Sequence, residues 1–275
     1  MSNLKKPLVL GLVISLATLL GGCTYESGPK LFASDTKEAQ EVTSPEENLQ
    51  PAAPGEAKEA LIKAIKDHKT NPKHQKFWYD GYVKNTILSR TTTSMFNGVV
   101  VNPDGYLVNG RIATQDYQYY RNKDKRYVRK GDYWITAKEE PLELDVTRGF
   151  EDWLPFLDQA SVLPEEKVIG TICTPYQIKI SGTDWLANST SPLFEPLRQE
   201  LAGRSDLQSI LKETTVKMTF WIGTDGLIHQ YQTWIIVPIP GAGYMDQEVN
   251  FRMFKFTDES IALPDVAEVE KYLLD

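Results

Sequence analysis

Residues 216–237 constrain the fold more than any other stretch. Val216, Met218, Phe220 and Ile222 point to one side of an extended run, and Lys217, Thr219 and Trp221 point to the other. Thr224-Asp225-Gly226 supplies the turn of a hairpin. The return arm closes on Trp234-Ile235-Ile236-Val237, apolar on both faces. A strand of that kind belongs in the middle of a covered sheet, because at an edge or on a wet face it would leave the run in water.

The rest of the chain supplies neighbours for that hairpin. A helix is expected over residues 56–69, where Ala57, Ala60, Leu61, Ala64, Ile65 and His68 form one stripe and Asn71-Pro72 stops it. An alanine-rich stripe without large anchors suits core packing better than a membrane surface. Strand texture follows over 76–90. Val99-Val100-Val101 then leads through Asn102-Pro103-Asp104-Gly105 into Tyr106-Leu107-Val108, a hairpin whose Pro and Gly positions favour a type I turn. A second hairpin turns at 122–125 and joins 116–121 to 126–137. Residues 149–163 have helical spacing, limited by Pro155. A strand is expected over 168–181, a helix from Ser191-Pro192 with Leu193, Leu197 and Leu201 on one face, and a capping box at Ser205-Asp206-Leu207-Gln208. A last strand over 249–256 precedes a short helix from Pro264 to Leu274. No repeat and no clean linker divides residues 57–275, so this part reads as one domain. A sheet this long has to curl.

The N-terminus has another character. Lys5 and Lys6 precede a short apolar run that ends in Leu20-Gly21-Gly22-Cys23. That is a secretory leader rather than a span. The ending resembles the lipobox of bacterial lipoproteins. The resemblance implies cleavage after residue 22 and a diacylglycerol on Cys23, the alternative being a plain anchor with an incidental cysteine. Residues 24–56 are rich in Ser, Thr, Pro, Glu and Ala and read as a flexible acidic tether with a reach of roughly 30 Å. Thr24 is not the aspartate that marks inner-membrane retention, so a cell with two membranes would send the protein to the outer one. With one membrane, the protein would stay on its outer leaflet.

Three stretches resemble the LolA/LppX-type lipoproteins of bacterial envelopes. They are Tyr127-Val128-Arg129-Lys130-Gly131-Asp132-Tyr133-Trp134, Phe220-Trp221-Ile222-Gly223-Thr224-Asp225-Gly226-Leu227-Ile228, and residues 254–264 before the terminal helix. In such families these are a strand pair ending in Gly-x-x-Trp, a hairpin, and a last strand followed by proline. The resemblance implies an α+β fold, a strongly curved antiparallel sheet forming an open half-barrel with helices on its concave face. A concave apolar face gives a physical reason for lipid binding, about 25 cal/mol per Å² of apolar surface removed from water. Aromatic strand residues Phe96, Tyr106, Tyr119, Trp134, Phe220, Trp234 and Phe251 are the candidate lining. A core simply filled by these rings is the alternative.

Chemistry finds little purchase. The chain carries 30 lysines and arginines against 37 acids, and the leader takes two of the bases, so nothing here is a footprint for nucleic acid. Cys173 has no intrachain disulfide partner once Cys23 is lipidated, and its apolar run makes it a small buried hydrophobe. His68 and His74 lack a metal-ligand spacing, and His229 stands alone in a strand. Ser209 and Lys212 have the Ser-x-x-Lys spacing of penicillin-binding enzymes without its companion motifs. Glu139-Glu140 and Glu165-Glu166 read as solvated turn residues. No enzyme, cofactor or metal is expected. Residues 121–130, by contrast, hold Arg121, Lys123, Lys125, Arg126, Arg129 and Lys130 against Asp124 alone. This is either a protected hairpin tip or a contact for lipid head groups or anionic wall polymer. Two functions follow as expectations. One is a membrane-anchored lipoprotein binding or carrying a lipid or other hydrophobic molecule; the other is an envelope sensor or scaffold that docks a protein partner.

Overall fold

The computed structural model describes residues 54–274, apart from 88–89, 113–114, 138–145, 148, 190–198, 200–201 and 240. The leader, Cys23 and most of the tether lie outside the described residues, as does the helix expected from Ser191-Pro192. Helix α1 (Pro54–Thr70) runs through the last three residues assigned to the tether, and a 3-10 turn (Pro72–His74) follows. Leu61, Ala64, Ile65 and His68 are buried, so the alanine-rich stripe faces a core.

Among the described residues, twelve strands form one antiparallel sheet. A first meander contains β1 (Lys76–Ile87), β2 (Arg90–Val101), β3 (Gly105–Ile112), β4 (Gln115–Asn122), β5 (Lys125–Lys130) and β6 (Tyr133–Thr136). A second contains β7 (Ser161–Val162), β8 (Glu166–Val168), β9 (Thr171–Ser181), β10 (Thr215–Gly223), β11 (Ile228–Ile239) and β12 (Gly243–Phe254). Spatial order is β6-β5-β4-β3-β2-β1-β12-β11-β10-β9-β7, with β8 also on β9. The meanders therefore meet at a β1–β12 seam, from Trp78 opposite Phe254 to Ile87 opposite Met245. The outermost strands β6 and β7 do not pair, so the curved sheet stays unclosed.

The sheet has helices on its inner side. α1, a 3-10 segment (Phe150–Gln159), α2 (Gly182–Asn188) and α3 (Leu207–Glu213) pack on β7 and β9–β11. One apolar cluster joins Leu61 and Ile65 of α1 and Phe150 and Trp153 to inner-face residues from β1 to β12. On the outer face, α4 (Val266–Glu270) and its flanks cover Tyr120, Tyr127 and Trp134. Leu273 then forms a parallel bridge to Trp134 on the edge strand β6. Among the described residues, no helix is long and apolar enough to cross a membrane.

The central hairpin lies as its pattern requires, with β11 between β10 and β12. The first turn joins β2 to β3 as expected and holds a cis Asn102–Pro103 peptide, the tertiary amide before proline lowering the preference for trans. Several local expectations change. The return arm of the second hairpin breaks into β5 and β6 at Gly131, whose φ of 61° turns the chain. Residues 168–181 break likewise at Ile169 and Gly170, φ 44° and 91°, so β8 folds back on β9. The capping box is absent. Asp206 is the N-cap of α3 without a side-chain cap bond, and its carboxylate instead accepts from Arg204 Nε and one terminal guanidinium nitrogen, each at 2.9 Å. β12 begins at Gly243, six residues before the expected strand, because its polar start pairs with β1 and β11.

Candidate functional site

Cross-strand register builds the inner face. Tyr176, Phe220, Tyr231 and Phe251 stand opposite one another from β9 to β12. The row continues as Gly81, Phe96, Gly110 and Tyr117 on β1 to β4. A Cβ at Gly81 would lie 2.5 Å from the Phe251 ring, and one at Gly110 would lie 2.4 Å from the Phe96 ring. Each ring thus lies across the glycine beside it, an arrangement that fills the missing side chain with aromatic surface. Phe150 closes the second meander's part of the row, with ring centroids 5.2 Å from Phe220 and 5.0 Å from Tyr231. The space between Trp153, Phe156, Ile180 and Trp185 is about 10 Å³, no more than a single water needs.

Of the seven candidate lining residues, Phe96, Tyr106, Tyr119, Phe220 and Phe251 join this inner cluster. Trp134 and Trp234 do not. Trp134 stands opposite Arg129 on the outer face, under α4 with Tyr120 and Tyr127. Trp234 is also outward, between Lys217 and Glu248, with the Lys217 ammonium 5.3 Å from its ring centroid. Period-2 alternation fixes both positions once β11 and β6 are in register.

The inner face differs over β3 to β5. Tyr106 and Tyr119 lie with ring centroids 5.7 Å apart. Among the described residues, the hydroxyls of Tyr106 and Tyr117 are buried and find no hydrogen-bond partner, and the same holds for Arg121 Nε. Burial pushes the Tyr117 phenol well above its usual range. Arg121 stands directly opposite Tyr106 on one side and Arg126 on the other.

The basic stretch 121–130 is therefore split by the pleat rather than forming one patch. Arg121 and Arg126 are on the inner side. Lys125 is on the outer side, where it pairs with Glu270 at 3.0 Å, and Arg129 donates to Gln118 Oε1 at 3.1 Å. Hydrogen bonds from Tyr127 and Lys125 hold the Glu270 carboxyl below its usual range. Arg129 borders an outer groove of about 530 Å³ with Met95, Asn97, Asn109, Arg111 and Gln118, where the Gln118 amide donates to Asn109 Oδ1.

All three histidines gather at the seam. His74 lies 6.5 Å from His68 and 5.1 Å from Phe256, and His229 is also 5.1 Å from Phe256. Asp225 meets His229 Nε2 at 3.1 Å. Burial first, then the neighbouring His68 and His229, lowers the His74 pKa to about 4. Among the described residues there is no group that could hold a metal ion. Cys173 is buried with Val168 and Trp221, and burial pushes its thiol up to about 11, which keeps it protonated and unreactive.

The class defined by this architecture is an unclosed antiparallel half-barrel with helices on its inner side. The three stretches that carried the LolA/LppX resemblance form the β5–β6 pair, the β10–β11 hairpin and the last residue of β12 with the irregular segment after it. The chain is similar to LprF of Mycobacterium bovis at 12% identity, over 78% of this chain and 98% of that one, with a TM-score of 0.45. It is similar to the lipoprotein LppX of Mycobacterium tuberculosis at 12% identity, over 78% and 100%, with a TM-score of 0.43. A LolA superfamily protein of Nitrosomonas europaea is 10% identical over 79% and 99%, with a TM-score of 0.32. These are likenesses of fold. No protein-family model matches the sequence, and no curated protein matches it either.

Proposed function

We propose that this chain is a lipoprotein tethered outside the cytoplasmic membrane through Cys23, and that it holds a hydrophobic or amphiphilic ligand against the inner face of β2–β5. The observation that carries this reading is the pair of buried hydroxyls of Tyr106 and Tyr117, unpartnered among the described residues, beside the apolar Phe96, Val108 and Val128. Buried polar groups in native proteins have partners, and a group left alone marks a place where something else binds. The described helices pack on the other half of the sheet, which leaves the β2–β5 half as the side where a guest would be taken up. The leader, the Leu20-Gly21-Gly22-Cys23 ending and the tether support the anchored location.

The experiment has two arms. Labelled palmitate should enter the full chain and be lost in Cys23→Ala. Mass spectrometry of gently extracted protein should show a bound lipid, or uptake of fatty acid or phospholipid. Protein that is empty and stays empty would sink the carrier reading. It would favour instead an envelope scaffold for a protein partner, which the interlocked rings over β9–β12 also suit.

A further inference from the structure

Arg121 and Arg126 face each other across β4 and β5 on the inner side, and like charges placed directly opposite destabilise a sheet. Neither makes an ion pair or a side-chain hydrogen bond among the described residues. Asp124 in the connecting turn and Asp104 in the adjoining one pair with neither. Directly beside Arg121 is Tyr106, 4% exposed, with its hydroxyl unpartnered. Two cations and a phenol in one cross-strand row, all with donors to spare, are the chemistry that receives a carboxylate or a phosphate.

The place in the fold narrows the ligand. Arg121 and Arg126 flank the β4–β5 turn, at the rim of the sheet. From there Tyr119 and Tyr117 continue down the same face of β4, over roughly 13 Å from Arg121. A charged end at the rim and an apolar run leading inward match a molecule with an anionic head and a chain.

We infer that Tyr106, Arg121 and Arg126 form a subsite for the anionic head, phosphate or carboxylate, of an amphiphile whose chain lies along β4. This rests on the hydrophobic-ligand reading above, and one experiment separates the two. The full chain in nanodiscs is titrated by calorimetry with octyl phosphate, octanol and inorganic phosphate, against empty nanodiscs.

Octyl phosphate should bind about tenfold or more tightly than octanol, the yield of charge-assisted bonds to a phosphate. The advantage should vanish in Arg126→Gln and survive in Arg126→Lys. Equal binding of octyl phosphate and octanol overturns the head-group subsite and leaves the carrier reading standing. Inorganic phosphate binding alone supports the anion site and overturns the carrier reading; no binding of any probe overturns both. Melting of the ligand-free protein guards against a structural role. Relief of the facing charges should raise the midpoint in Arg126→Gln, and a fall in the midpoint overturns the inference.

Discussion

The two meanders share one sheet and one inner face, yet they treat that face differently. In the second, β9–β12, rings stack on rings and the Phe150–Gln159 segment locks over them. In the first, β1–β5, glycines interrupt the row, tyrosine hydroxyls end in apolar surroundings, and two arginines confront each other. One half is packed ring on ring, with Gln247 Oε1 buried and unpartnered among its described residues; the other combines several unpartnered groups with facing like charges. Sequences that specify a fold are locally consistent, and they break the rules where binding needs it. The second meander is packed as a scaffold; the first carries the groups on which the ligand proposal rests.

The largest expected effect falls on the scaffold. Phe220→Ala removes a fully buried ring from the centre of the row, and should cost about 4 kcal/mol in denaturant unfolding. A loss below about 1 kcal/mol there would mean that the ring row does not hold the second half together.

The next effect is at the seam, where His74 packs among Phe77, Phe256 and His68, with His229 and Asp225 close by. Its folded pKa of about 4 is below the unfolded value of 6.5. Between those pH values the unfolded chain binds a proton that the folded one refuses. Stability is therefore intact above pH 6.5 and falls as pH drops toward about 4, by on the order of 3 kcal/mol from this group. Urea midpoints measured across that range should show the decline, and His74→Phe should flatten it.

The smallest effect sharpens the contrast from the other side. Tyr117→Phe deletes a hydroxyl that bonds to nothing, so the ligand-free protein should hold its stability or gain up to about 1 kcal/mol. A clear loss would show that the first meander is packed on the same terms as the second.

The hairpins were legible because alternation and turn residues are local signals. Val216, Met218 and Phe220 announced their face, and Thr224-Asp225-Gly226 the turn. Facing elsewhere depended on register and on covers far away in the chain. Trp134 looked like lining until α4, more than a hundred residues later, came to lie over it. Gly81 and Gly110 gave no signal in the sequence of what they do, and cross-strand pairing makes them seats for Phe251 and Phe96. The split of the basic stretch was within reach. Counting by twos from Tyr119 puts Arg121 inside, and the hairpin turn then sets Arg126 against it. The histidine cluster was not, since His74 and His229 meet only once the seam has formed.

That seam has a temporal meaning. Among the described strands it marries the first made to the last, so the middle of the wall stays unzipped while the polypeptide emerges from a ribosome. Pairings so distant along the backbone form slowly, and completion waits for the final residues to arrive. Until then each meander has a raw border exposed, and a helper that shields nascent strands would have its work to do in that interval.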